Sequence, residues 1–134
     1  MYKRQEVKGS AKHDDLDRIA QTVLETGSED QIVFIAIDWS VLDRLRMLHS
    51  ELNIGYIVEQ SSRAEEAIMR ASQDPRALIN FDAGILLDNQ KISEHTISEG
   101  IDMATWTVDN TKAAARLLDL GVHRIATNQV ATLL

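Results

Sequence analysis

Two charged side chains near the start of the chain have a spacing that could do chemistry. Glu6 and Lys8 stand two apart in Glu6-Val7-Lys8-Gly9, and on a strand such positions point to one face. Buried among parallel neighbours, a carboxylate and an ammonium on one interior face are costly without partners. At the C-terminal rim of a barrel, Glu6 could bind a divalent cation through oxygen. Lys8 could hold a phosphate oxygen there. The competing reading is a frayed first strand with a surface ion pair worth little. Glu-x-Lys is a short motif, and spacing alone favours the surface pair. A third candidate is Trp106, one of two Trp, in Ala104-Thr105-Trp106-Thr107-Val108 near a strand's C-terminal end. It reads equally well as a pocket wall or as a core aromatic closing a barrel layer.

The other reactive residue types form no constellation. His13, His49, His95 and His123 are scattered, with no i,i+4 pair and no His-x-His. His49 and His95 fall on helices with solvated faces, and His123 falls at a strand start, away from a barrel's chemistry. No glycine-rich phosphate loop of the dinucleotide or P-loop kind occurs. No Gly-x-Ser-x-Gly elbow occurs either. The absence of Cys excludes disulfides and thiolate metal sites, and suits a reducing, cytoplasmic setting. A formal net charge of −7 argues against nucleic acid as a partner, which needs clustered Lys and Arg. No apolar run approaches the length of a transmembrane segment.

These candidates need elements to position them, and the chain alternates short β-rich runs with longer helical ones. Strands are expected at Glu6–Gly9, Gln31–Ile37, Asn53–Val58, Ala77–Phe81, Asp102–Val108 and Val122–Thr127. Helices are expected at Asp14–Thr26, Ser40–Glu51, Ser62–Gln73, Asn89–Glu99 and Thr111–Leu120. Gln31 to Ile37, QIVFIAI, is a continuous apolar run of the kind a strand buried on both faces shows. In the helices, Leu16, Ile19, Ala20, Val23 and Leu24 recur at helical spacing, as do Leu42, Leu45 and Leu48. Ala64, Ala67, Ile68 and Ala71 form a further inward stripe. Asp14 suits a helix N-cap, and Gly27, Gly100 and Gly121 suit helix ends. Met1-Tyr2-Lys3-Arg4-Gln5 carries no period or turn signal and is set aside as a non-native leader, leaving 6–134 as the domain. Alternation of this kind makes a parallel sheet with right-handed crossovers. An open doubly wound sheet and part of a (β/α)₈ barrel both satisfy it.

From Glu6 onward the sequence resembles the glycerophosphodiester phosphodiesterase family. The resemblance rests first on Gly100 to Thr127, GIDMATWTVDNTKAAARLLDLGVHRIAT. That stretch is similar to the family's closing strand–helix–strand, with its Trp-Thr-Val-Asn/Asp signature. Asp30 to Tyr56 and Glu6-Val7-Lys8-Gly9 follow the family pattern in order, and Ala77 to Asp82 does so more loosely. The resemblance implies a truncated (β/α)₈ TIM-type barrel of about six parallel strands, the third to the eighth of the family's barrel. It implies that Glu6 helps bind a divalent metal, Mg or Ca, that Lys8 lies in the phosphate site, and that Trp106 and Asn80 line the substrate pocket. The reaction implied is metal-dependent hydrolysis of a small-molecule glycerophosphodiester to an alcohol and glycerol 3-phosphate.

Departures from the family pattern bear on that expectation. The family's His-Arg-Gly strand, its Glu-x-Asp strand and a following His have no counterpart in the chain. They hold the proton-transfer groups and most metal carboxylates, so the chain by itself is expected to be inactive. The usual Ser-Phe after the second apolar run is Ala36-Ile37, and the usual Asp after the last Thr is Asn128. A non-catalytic half-barrel serving as a binding or assembly module is the competing reading.

Overall fold

Gln31 to Ile37 contains the strand its composition predicts. In a computed structural model of the chain, which describes residues 3–8 and 12–133, β2 runs Ile32–Ala36. Val33, Phe34 and Ala36 in it are at most 2% exposed. The described residues form two units, divided after Ile57.

The first unit contains β1 (Lys3–Glu6), α1 (His13–Glu25), β2, α2 (Trp39–Leu48) and β3 (Asn53–Val58), of which Val58 already belongs to the second unit. β1 and β3 both pair in parallel with β2, Glu6 opposite Ile35 and Ile35 opposite Gly55. β1 begins three residues earlier than expected. Lys3, Arg4 and Gln5, set aside as leader, form its first three positions, and Gly9 lies outside the described residues. The polar run KRQE has no apolar alternation of its own. Its strand conformation comes from the β2 edge, which continues beyond Glu6 as Val7 N–H donates to the Ile35 carbonyl at 2.9 Å. Asp14 is not the cap of α1: the N-cap position is Lys12, without a side-chain cap bond, and Asp14 and Asp15 lie in the first turn. Carboxylates there complement the positive end of the helix dipole.

Leu16, Ala20 and Val23 of α1 are buried, as are Leu42 and Leu45 of α2, whereas Ile19 is 44% exposed and Leu48 38%. The apolar stripe is therefore narrower than the periodicity suggests on both helices. The Arg44 guanidinium joins the two helices, donating to both Asp17 carboxylate oxygens at 3.4 and 2.9 Å.

The second unit contains α3 (Ala64–Ser72), β4 (Ala77–Asp82), α4 (Ala83–Asp88), α5 (Gln90–Ser98), β5 (Asp102–Trp106), α6 (Thr111–Asp119), β6 (Arg124–Ile125) and α7 (Val130–Leu133). β5 pairs in parallel with both β4 and β6. Its two faces divide the chemistry. Ile79, Phe81, Met103 and Thr105 occupy one parity and are almost wholly buried. Asn80, Ala104 and Trp106 occupy the other. α4 is a helix that periodicity missed: Gly84 and the early stop at Asp88 leave too short a run to read. Ala64, Ala67, Ile68 and Ala71 are buried as expected. Gly27, Gly100 and Gly121 have φ of 62°, 71° and 86°, the left-handed turns predicted for helix ends.

Short polar caps restart the chain where strands give way to helices. Asp38 accepts from Ser40 N at 3.0 Å, Asp82 from Gly84 N at 2.8 Å, and Asn110 from Lys112 N and Ala113 N at 2.9 and 3.1 Å. Thr105 is a local defect in the second unit: it is 0% exposed and its Oγ1 has no hydrogen-bond partner among the described residues. A buried hydroxyl left unpaired is unfavourable by about 1–3 kcal/mol. Thr105→Val keeps the branched shape and removes that penalty. It is expected to raise stability by about 1 kcal/mol, read as a higher urea midpoint at unchanged slope. A lower midpoint would show that the hydroxyl is paired.

No helix among the described residues is long and apolar enough to cross a membrane.

Candidate active-site residues

Glu6 ends β1 and Lys8 follows two residues later, so both lie at the C-terminal edge of the first unit's strands. The Lys8 ammonium stands 3.9 Å from Glu6 Oε2, with the lysine side chain 81% exposed and the glutamate 34%. Such an exposed pair contributes little to stability. It leaves the ammonium available to a ligand. Glu6, Val7, Lys8, Ile37 and Asp38 line a cavity of about 480 Å³ at this edge, within the usual range for small-molecule pockets. Ile37 supplies an apolar wall where the family pattern has an aromatic. Asp38 Oδ1 already accepts from the backbone N–H and the hydroxyl of Ser40.

These residues do not fit a divalent cation by themselves. Among the described residues, no group of three His, Cys, Asp or Glu is close enough to hold a metal ion. Glu6 is the one carboxylate that the motif contributes, and a cation beside it would also face the Lys8 ammonium. The described histidines do not line this cavity. His49 lines a groove with Asp17 and Arg18, His95 Nδ1 lies 3.2 Å from Glu65 Oε2, and His123 is exposed. His13 opens α1, and its side chain lies outside the described residues.

The second unit brings the other two candidates together. Asn80 is 1% exposed on β4. Trp106, half-buried at the last position of β5, turns its indole N–H toward the Asn80 carbonyl at 3.4 Å. In register Trp106 lies opposite Asp82, the residue that caps α4. An apolar ring edged by backbone and carboxylate oxygens can cover the carbon skeleton of a polyol while accepting from its hydroxyls.

Sequence reasoning passed over Asp109. Its carboxylate accepts from the Thr127 hydroxyl at 2.9 Å, Asn128 N at 2.7 Å and Asn128 Nδ2 at 3.1 Å. The Asn128 backbone N–H, then its side-chain amide, then the Thr127 hydroxyl hold the carboxyl below the usual aspartate range, slightly opposed by desolvation. A depressed folded-state pKa means these bonds are fully present above the ordinary aspartate value. They are lost only as pH falls through the lower, folded-state one. The signal in the sequence was an Asp and a Thr-Asn pair in successive strand-to-helix turns.

The family model for glycerophosphoryl diester phosphodiesterases matches residues 1–132. The chain belongs to the glycerophosphoryl diester phosphodiesterase family. Solved structures agree in fold. A putative glycerophosphodiester phosphodiesterase from Galdieria sulphuraria superposes with a TM-score of 0.82 at 15% identity, over 97% of this chain and 54% of that one. One from Silicibacter pomeroyi gives 0.76 at 19% identity, over 94% and 46%. A phosphodiesterase from Oleispira antarctica, solved with the product sn-glycerol-3-phosphate, gives 0.76 at 13% identity, over 90% and 48%. No curated protein matches the chain. The fold is thus that of the family's TIM-type barrel, represented by six parallel strands alternating with helices. The chain spans about half the length of the solved structures it matches.

Proposed function

We propose that this chain forms the part of a glycerophosphodiester phosphodiesterase that contributes the phosphate-facing lysine and the substrate-facing tryptophan. The observation behind this reading is the Glu6–Lys8 pair beside an open cavity at the strand ends, in a chain matched by the family model almost throughout. The reaction is hydrolysis of a phosphodiester by water, releasing an alcohol and glycerol 3-phosphate. The glycerol 3-phosphate bound to the Oleispira antarctica relative supports a substrate of that class.

In this reading the Lys8 ammonium faces the non-bridging phosphate oxygens, and its charge is worth more as charge builds there. Trp106 borders the alcohol portion, with the buried Asn80 behind it, its carbonyl toward the indole N–H. The family implies a divalent cation, Mg or Ca, toward which Glu6 would supply a carboxylate oxygen. The groups that move protons belong to strands this sequence does not match, and a cytoplasmic setting is part of the same proposal.

The test joins the chain from Lys3 onward, so that β1 is kept whole, behind the first two βα units of an active family member and follows release of glycerol 3-phosphate. Turnover is expected, lost on chelation. Lys8→Ala is expected to lower kcat by about 10²–10³, the usual effect of removing one charge-stabilising donor. Glu6→Gln is expected to raise the metal concentration needed for activity. A folded, soluble fusion without turnover would reject the enzyme reading and favour a binding or assembly module. Activity indifferent to both substitutions would reject the assigned roles.

A further inference from the structure

The loop that follows Trp106 is tied down more heavily than its exposure requires. Past the end of β5, Val108 N donates to the Ala126 carbonyl at 2.9 Å, and Ala126 N donates to the Thr105 carbonyl at 2.8 Å. The backbone on both sides of Trp106 is therefore held by the residue that leads out of β6. The three bonds to the Asp109 carboxylate lie just beyond. Thr127 takes part twice, its hydroxyl donating to Asp109 and accepting from Gln129 N at 2.9 Å. The indole N–H reaches the Asn80 carbonyl at 3.4 Å, too long to hold a ring firmly.

We propose that Asp109 is a positioning residue, whose carboxylate clamps the turn after β6 to the loop after β5 and thereby fixes where the Trp106 ring stands. The proposal rests on Trp106 bordering the substrate, and it extends that reading to a group that touches no substrate. A charged acceptor serves the purpose because one carboxylate can take several donors at once, and charge-assisted bonds hold geometry better than neutral ones. The arrangement is also directional. Asn128 offers a donor at Nδ2 and another at its backbone, so an acid at 109 needs an amide, not a second acid, at 128. Exchanging them leaves one acid facing one amide and restores a matched pair. Asn128→Asp alone sets two carboxylates against each other.

The experiment reads the two indole N–H signals in ¹H–¹⁵N spectra of the full chain, assigned through Trp106→Phe. In Asp109→Ala, the Trp106 signal is expected to shift, broaden and exchange faster with solvent, with the Trp39 signal unmoved. Asn128→Asp is expected to do the same. The exchanged pair, Asp109→Asn with Asn128→Asp, is expected to return the Trp106 signal toward its original place. An unchanged Trp106 signal in Asp109→Ala overturns the proposal. If that variant loses both signals through unfolding, the exchanged pair decides. Recovery in the double variant but in neither single one supports the clamp, and equal signals in all three overturn it. Titration with sn-glycerol 3-phosphate separates this from the functional reading. A Trp106 signal indifferent to the phosphate, yet sensitive to Asp109, retains the clamp and removes its substrate.

Discussion

Given a glycerophosphodiester and magnesium, the 134-residue chain by itself is expected to release no measurable glycerol 3-phosphate. The expectation follows from a count of groups. Hydrolysis of a phosphodiester needs a proton taken from the nucleophile and one given to the leaving alcohol, and positioned side chains contribute about 10²–10⁴ to such transfers. His95 sits on α5 against Glu65, His49 lines a helix groove, and neither lines the Glu6 cavity. A divalent cation usually needs several oxygen ligands from the protein, and no described group of three could hold one. Phosphorus NMR over a day, with magnesium or calcium, is the check. Turnover that scales with chain concentration and stops on chelation would refute the expectation.

Trp39→Ala should destabilise the chain more than other single changes in the first unit. Trp39 is 3% exposed at the start of α2. Its indole N–H donates to the Ile57 carbonyl at 3.0 Å, and its ring meets Tyr56 edge to face at 5.2 Å. Removing a buried Trp side chain typically costs about 3–5 kcal/mol, because the surroundings collapse only in part. Losing the aromatic pair adds to that. Trp39→Phe separates the contributions. It retains most of the ring area but leaves the Ile57 carbonyl, on a residue only 5% exposed, without its donor. An unpaired buried group costs about 1–3 kcal/mol. Urea midpoints should therefore fall in the order wild type, Trp39→Phe, Trp39→Ala. Equal midpoints for the two variants would mean that the ring contributes nothing beyond its hydrogen bond.

Burial that depends on the strand's own residues was legible in the sequence, and conformation imposed by a neighbour was not. QIVFIAI reads as a strand because both its faces are covered, and it is one. Lys3–Glu6 is a strand only because β2 offers it an edge, so nothing in KRQE announces it. The same limit explains α1 and α2. Periodicity marks Ile19 and Leu48 as inward, but a helix packed on one side covers only the centre of its stripe, and both side chains stay substantially exposed. For the candidate site, the nearness of Glu6 and Lys8 was legible from their spacing on a strand, and their charges stand 3.9 Å apart. Asp109 was not. Its partners lie 18 and 19 residues away in another loop, and only the pairing of β5 with β6 brings the two turns side by side.

Gly121 does more than end a helix. With φ at 86°, an added Cβ would stand 2.6 Å from Ile97 Cδ1 on α5. Gly27 and Gly100 have similar backbone angles but open space where the methyl would go. An alanine at those two positions meets backbone strain alone, while at 121 it must also turn aside the end of the half-exposed Ile97 side chain. The missing methyl at 121 therefore leaves a berth in which the end of the Ile97 side chain rests. A larger residue there would push that side chain toward solvent, so this glycine shelters a neighbour's apolar contact as well as making a turn.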